Sequence, residues 1–143
     1  MIQLDGETQM QRINPPTMAP PVMGLYAQIV TVPAGALGFI SGQVALDDKG
    51  NMVGIGDHQA QARQCFINIR NALAAIDATP DRIAKMTINV VRHKVDLVAP
   101  IFAAGRDVFG DQWPITASML LGVEALGLPE WLIEVDAIVS LSS

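Results

Sequence analysis

Two carboxylates stand in the stretch WLIEVDAIVS, residues 131–140, where the neighbouring apolar side chains point to a buried β-strand. Side chains alternate across a strand, so Ile133, Val135, Ala137 and Val139 share one face, and Leu132, Glu134, Asp136 and Ile138 share the other. Both acids therefore point the same way. Two acids on one face, once closed off from water, suit general acid–base work on a bound molecule. The structural alternative is that an acid faces solvent or pairs with an arginine of a neighbour, and the residues taken alone favour it.

The rest of the usual catalytic vocabulary is thin. GLYAQI and GIGD lack the spacing and the strand-to-helix context of a phosphate loop. His58 and His93 are far apart and neither sits in a metal-ligand spacing, so no metal site is expected. Ser41, in ISGQ, lies at a strand end with no base near it in sequence and no GxSxG elbow around it. Cys65, the one cysteine, excludes an intrachain disulfide and reads as a small core residue within a helical stripe. Asp47 and Asp48, in LDDKGNMVG, lack the alternating ligands of a calcium loop and read as a solvated turn.

Composition narrows the partners. The 143 residues carry a formal net charge of −5, and their nine basic side chains are scattered, which disfavours nucleic acid. Half the chain is hydrophobic and only 16% is charged, against about 25% in typical domains. Surplus apolar surface points to a homo-oligomer. The N-terminus lacks the basic flank and apolar core of a leader, and no apolar run reaches the roughly 18 residues of a membrane span. A cytoplasmic protein with no membrane contact is expected.

The elements that must position these side chains follow from periodicity. Residues 1–23, with NPPTMAPPVMG, read as an extended lead-in, and residues 24–143 as a single domain. Tyr26 to Val32 and Leu37 to Ser41 suit strands, and PAGA between them predicts a β-hairpin. Asp57 caps a helix reaching about Asp77, with Ala62, Phe66, Ile69, Leu73 and Ile76 on its buried side and Gln61, Arg63, Asn68 and Asn71 off it. RIAKMTINVVR is a third strand, Leu97 to Phe109 a second helix, and ASMLLGV and WLIEVDAIVSL the last strands. The order β-β-α-β-α-β-β predicts an α+β fold, a mixed sheet with two helices on one face.

Four stretches, NPPTMAPPVMGLYAQIV, GFISGQVALDDKGNMVG, GDHQAQARQCFINIRNALAAIDATPDRIAKMTINVV and LIEVDAIV, together resemble the YjgF/RidA family, also known as endoribonuclease L-PSP or reactive-intermediate deaminase. The resemblance runs from Asn14 to about Val139. It implies a chorismate-mutase-like fold and a homotrimer with clefts between subunits. It further implies hydrolysis of small enamines and imines to keto acids and ammonia without metal or organic cofactor. Matched residue by residue, Tyr26 corresponds to the aromatic lining the cleft, Ser41 and Gly42 to its SG wall, and Glu134 to the acid holding the attacking water.

One signature is missing. The family grips a substrate carboxylate with an arginine in P-x-R-[ST]; anchoring on Pro114 puts Thr116 there, and the longer anchor of Gly122, Val123, Leu126 and Pro129 puts Ser118 there, which is preferred. The asparagine that many members carry at the start of the second helix is also absent, its place falling near Pro100 and Ile101. Losing one side of a buried arginine–carboxylate contact costs about 2 to 5 kcal/mol. A backbone N–H near Leu120 and the Ser118 hydroxyl remain as donors, which suits a neutral or differently shaped ligand. Two functions therefore stand side by side: an arginine-less enamine or imine hydrolase, and a trimer that binds a small ligand or regulates a partner without turnover.

Overall fold

The computed structural model describes residues 9–142. Its strands are β1 (Gln11–Ile13), β2 (Ile29–Thr31), β3 (Leu37–Gln43), β4 (Ile83–Val91), β5 (Ala117–Val123) and β6 (Ile133–Ser140), with helices α1 (His58–Ala75) between β3 and β4 and α2 (Val98–Phe109) between β4 and β5. The main sheet has the order β3-β6-β4-β5; β4 and β5 run parallel, and the other pairs are antiparallel. Two helices lie on one face of this mixed sheet, α1 packing on β6 and beside α2. No helix of the described residues is long and apolar enough to cross a membrane.

The two-residue alternation of β4 and β6 creates the core. Met86, Ile88, Val90, Ile133, Val135 and Val139 are all but fully buried beneath the helices. On α1 the same layer receives Ala62, Phe66, Ile69 and Leu73. Asp57 caps α1 by accepting the Ala60 N–H at 3.0 Å, a contact typically contributing about 1 kcal/mol. The helix ends two residues short of Asp77, which turns left-handed at φ 52° while the Ala78 N–H donates to the Leu73 carbonyl. Ile76, expected on the buried side, sits at this end and is 38% exposed.

Two expectations are corrected. β2 and β3 do not form a hairpin: β2 pairs with β1, and β3 pairs with β6. The PAGA link is held elsewhere, with the Leu141 N–H donating to the Ala36 carbonyl and the Ser142 hydroxyl to the Ala34 carbonyl. Pro33 also lacks the N–H that a continuing ladder needs. β1 is fastened instead by Arg12, whose guanidinium donates to the carbonyls of Ile115 and of Asp81. Gln61, expected off the buried side of α1, is fully buried. Its amide nitrogen donates to the Gly54 and Glu130 carbonyls at 3.1 and 3.0 Å, and its oxygen accepts the Leu132 N–H at 2.9 Å. One side chain thereby satisfies the Glu130 carbonyl and the Leu132 N–H and adds a second donor to the Gly54 carbonyl, which also accepts the Asp57 N–H.

Candidate functional site

Glu134 and Asp136 share the face of β6 turned away from the helices, Glu134 opposite Asn89 and Asp136 opposite Thr87. Beside Glu134 the β3–β6 register shifts between Ile40 and Gln43, so Ser41 and Gly42 occupy a β-bulge. The bulge brings backbone close to the acid: a Cβ built on Gly42 would lie 2.2 Å from Glu134 Oε1. Glycine is thus required at 42 for the carboxylate to lie where it does. Gly42→Ala is expected to swing that carboxylate away at a stability cost of about 1 kcal/mol or less, since a flexible side chain yields. Thermal unfolding checks the first part. Any Glu134-dependent turnover should fall about tenfold or more, because small misplacements of a reacting group are costly.

A second group forms at the other edge of the sheet. Tyr26, Ser118 and Leu120 line one cavity of about 180 Å³, together with Val22, Met23, Leu25, Ile88, Val98, Phe102 and Met119. Phe102 is braced from behind by Trp113, ring centroids 5.5 Å apart at 74°. Thr116, the other candidate for the arginine position, is fully buried, and its hydroxyl donates to the Ile83 carbonyl at 2.7 Å. Ser118 faces the cavity and Thr116 does not. Near the missing asparagine, Ile101 is fully buried, so the helical wall consists of Val98 and Phe102.

The two groups do not meet within one chain. β4 lies between β6 and β5, and Glu134 aligns through Asn89 with Leu121, three residues beyond Ser118. By strand spacing and rise the Cα atoms of Glu134 and Ser118 are about 14 Å apart, on opposite faces of the sheet. No small molecule touches both in a single protomer.

The remaining candidates are structural. Cys65 is fully buried and donates to the Ile133 carbonyl at 3.5 Å; burial, with the Glu134 charge added, pushes its thiol above the usual range, so it is no nucleophile at neutral pH. Asp47 accepts the backbone N–H groups of Lys49 and Asn51, each at 2.9 Å, and these bonds, Asn51 foremost, hold its carboxyl below the usual range. His58 Nε2 lies 2.7 Å from the Val91 carbonyl oxygen, tying the start of α1 to β4. The residues that sequence reasoning did not single out are Met23, Leu25, Val98 and Phe102. Their only signal was apolar type, which equally describes a core.

Known proteins share this fold. Residues 16–141 match the family model described as Endoribonuclease L-PSP. A solved structure of YyfB from Yersinia pestis, of the conserved Rid protein family, superposes with a TM-score of 0.85 at 35% identity, covering 93% of this chain and 99% of that one. Protein DfrA of Myxococcus xanthus is 32% identical over 121 residues, 84% of this chain and 88% of that protein. A RutC family protein of Pyrococcus horikoshii is 31% identical over 121 residues, 84% of this chain and 90% of that protein.

Proposed function

The chain belongs to the endoribonuclease L-PSP family, the YjgF/RidA or Rid proteins, and on that premise we propose that it forms a homotrimer whose intersubunit cleft binds a small imine, enamine or carbonyl compound and hydrolyses the nitrogen-bearing forms. The observation that carries this reading is the division of the site. Glu134 with the Ser41–Gly42 bulge lies on one face of the sheet, and Tyr26, Ser118 and Leu120 lie at the far edge on the other side. A second copy is needed to set one group opposite the other. The surface that would carry the contact exposes large apolar side chains among its polar ones: on the helix-free face Phe39 is 73% exposed, and Met119 and Leu121 are also exposed.

In the proposed reaction a water held by Glu134 attacks the imine carbon and its proton passes to the carboxylate. The nitrogen takes up a proton, and the carbinolamine collapses to a carbonyl compound and ammonia. An enamine first gains a proton on carbon to become the imine. Tyr26 closes the cleft and orients the ligand, and Ser118 offers a neutral hydroxyl where the family's arginine would supply a charge. That same replacement favours the second reading, a trimer that binds without turnover. Ribonuclease action fits poorly with a net charge of −5 and scattered cations.

The test couples an amino-acid oxidase to the protein and follows ammonia or keto-acid release from imines with acidic, apolar and neutral side chains, alongside sedimentation at micromolar concentration. A trimer that accelerates release is expected. A stable monomer removes the cleft, and a trimer giving no acceleration with any imine leaves the binding function. Ser118→Arg should raise activity toward imino acids by about tenfold or more, since a guanidinium supplies the missing charge-assisted contact. No gain would mean a cleft shaped for another ligand.

A further inference from the structure

We propose that the cavity beneath Met23 is the specificity pocket of this cleft, and that it takes the phenyl or branched alkyl group of an uncharged ketone, or of the corresponding imine, in place of a carboxylate. The inference rests on the reading above that the Tyr26–Ser118 wall faces a ligand, and it adds what that ligand is. None of the ten residues lining the cavity carries a charge; its polar side chains are the hydroxyls of Tyr26 and Ser118. A carboxylate entering it would be desolvated without a counter-charge. An apolar group would not be.

Size narrows the ligand further. The cavity measures about 180 Å³, and a dry cavity of about 150 Å³ in an apolar core accepts benzene. One ring or one branched alkyl group therefore fills it, leaving the two hydroxyls to meet a carbonyl oxygen or imine nitrogen. The floor is rigid, because Ile88 belongs to the central strand β4 and Phe102 is braced by Trp113.

The roof is unusual. Met23 is held left-handed at φ 55° and ψ 16°, followed by Gly24 at φ 63°, in a conformation that side chains other than glycine and asparagine rarely adopt. It is nonetheless 77% exposed, so burial does not offset the strain within one chain. Strained residues gather at ligand clamps, where an added contact repays them. The segment leading to it is pinned: Asn14 Oδ1 accepts the Gln28 N–H and the Gln28 amide donates to the Ala19 carbonyl, each at 2.8 Å, while Pro20 and Pro21 limit its freedom. Met23 is thus positioned to close over an apolar group.

The methionines provide the readout. Protein labelled with carbon-13 at its methionine methyls is titrated with phenylacetone, methyl isobutyl ketone and phenylpyruvate. A saturable shift is expected at Met23 and none at Met52, which lies outside the cavity. The neutral ketones should bind at least about tenfold more tightly than phenylpyruvate. Val98→Phe, which fills the cavity, should weaken phenylacetone binding about tenfold to a hundredfold. Met23→Gly should weaken it several-fold while leaving the melting temperature unchanged or higher, a split that a purely structural methionine would not produce. Phenylpyruvate binding as well as or better than phenylacetone overturns the inference, as does the absence of shifts at Met23 with every ketone. If those shifts are absent while Glu134-dependent imine hydrolysis persists, only the pocket assignment falls. If both are absent, the proposed function falls with it.

Discussion

Glu134→Gln is expected to lower imine hydrolysis by about a hundredfold or more while the assembly stays intact. The amide is nearly isosteric with the carboxylate and still accepts a hydrogen bond through its oxygen, but it cannot take the proton of an attacking water. Its neighbours make the substitution clean. Glu134 sits half-buried on the helix-free face, its carboxylate over the Gly42 backbone, and its contact to Asn89 runs through its main-chain carbonyl, which the mutation leaves in place. The measurement is oxidase-coupled ammonia release by the parent and variant, with sedimentation as the control for assembly. A variant as active as the parent reduces Glu134 to a structural acid. Asp136→Asn should matter much less, because Asp136 is exposed and its carboxylate accepts, among the described residues, only the Thr87 N–H, at 3.3 Å.

The largest loss of stability is expected at Gln61, far from any proposed chemistry. Gln61→Leu keeps the volume but takes the partner from the buried Leu132 N–H and from the Glu130 carbonyl, while the Gly54 carbonyl keeps the Asp57 N–H. An orphaned buried group costs about 1 to 3 kcal/mol, so the variant should lose about 2 kcal/mol. Chemical unfolding at fixed protein concentration measures this, and a loss below about 1 kcal/mol would mean that solvent reaches the Leu132 N–H. The consequence extends to function. Gln61 ties the turn before α1 to the entry of β6, two residues ahead of Glu134. Loosening that tie should reduce turnover even in protein that remains folded.

The contrast between these residues marks what was legible in the chain. The direction of Glu134 and Asp136 followed from alternation alone, because a strand has a period of two and the apolar partners Ile133, Val135 and Val139 decide which face is buried. The Asp57 cap and the stripe of Ala62, Phe66, Ile69 and Leu73 on α1 were legible for the same reason: each rests on neighbours within one or two turns. Gln61 was misread because residue type says nothing of whether distant backbone, here Glu130 and Leu132, arrives with unpaired groups. The β2–β3 hairpin failed likewise, since β1 and the end of β6 compete for the same edges, and adjacency in sequence does not rank them.

What the sequence determined by itself is the local chemistry and its facing: two acids on one side of the last strand, a tyrosine after a proline-rich segment, a neutral residue where the resembled family has arginine. Only the tertiary structure decided which of these meet. It put Ser118 rather than Thr116 in the cavity: the parallel register sets Ser118 opposite Met86 and Leu120 opposite Ile88 on the helix side, while Thr116, earlier on that same face, is buried with its hydroxyl on the Ile83 carbonyl. It set Glu134 against the Gly42 bulge, because β6 pairs with β3 across some ninety residues of chain. Local periodicity carries no information about such pairings. They are set by how α1 and α2 pack on one face of the sheet and leave the other face to be covered.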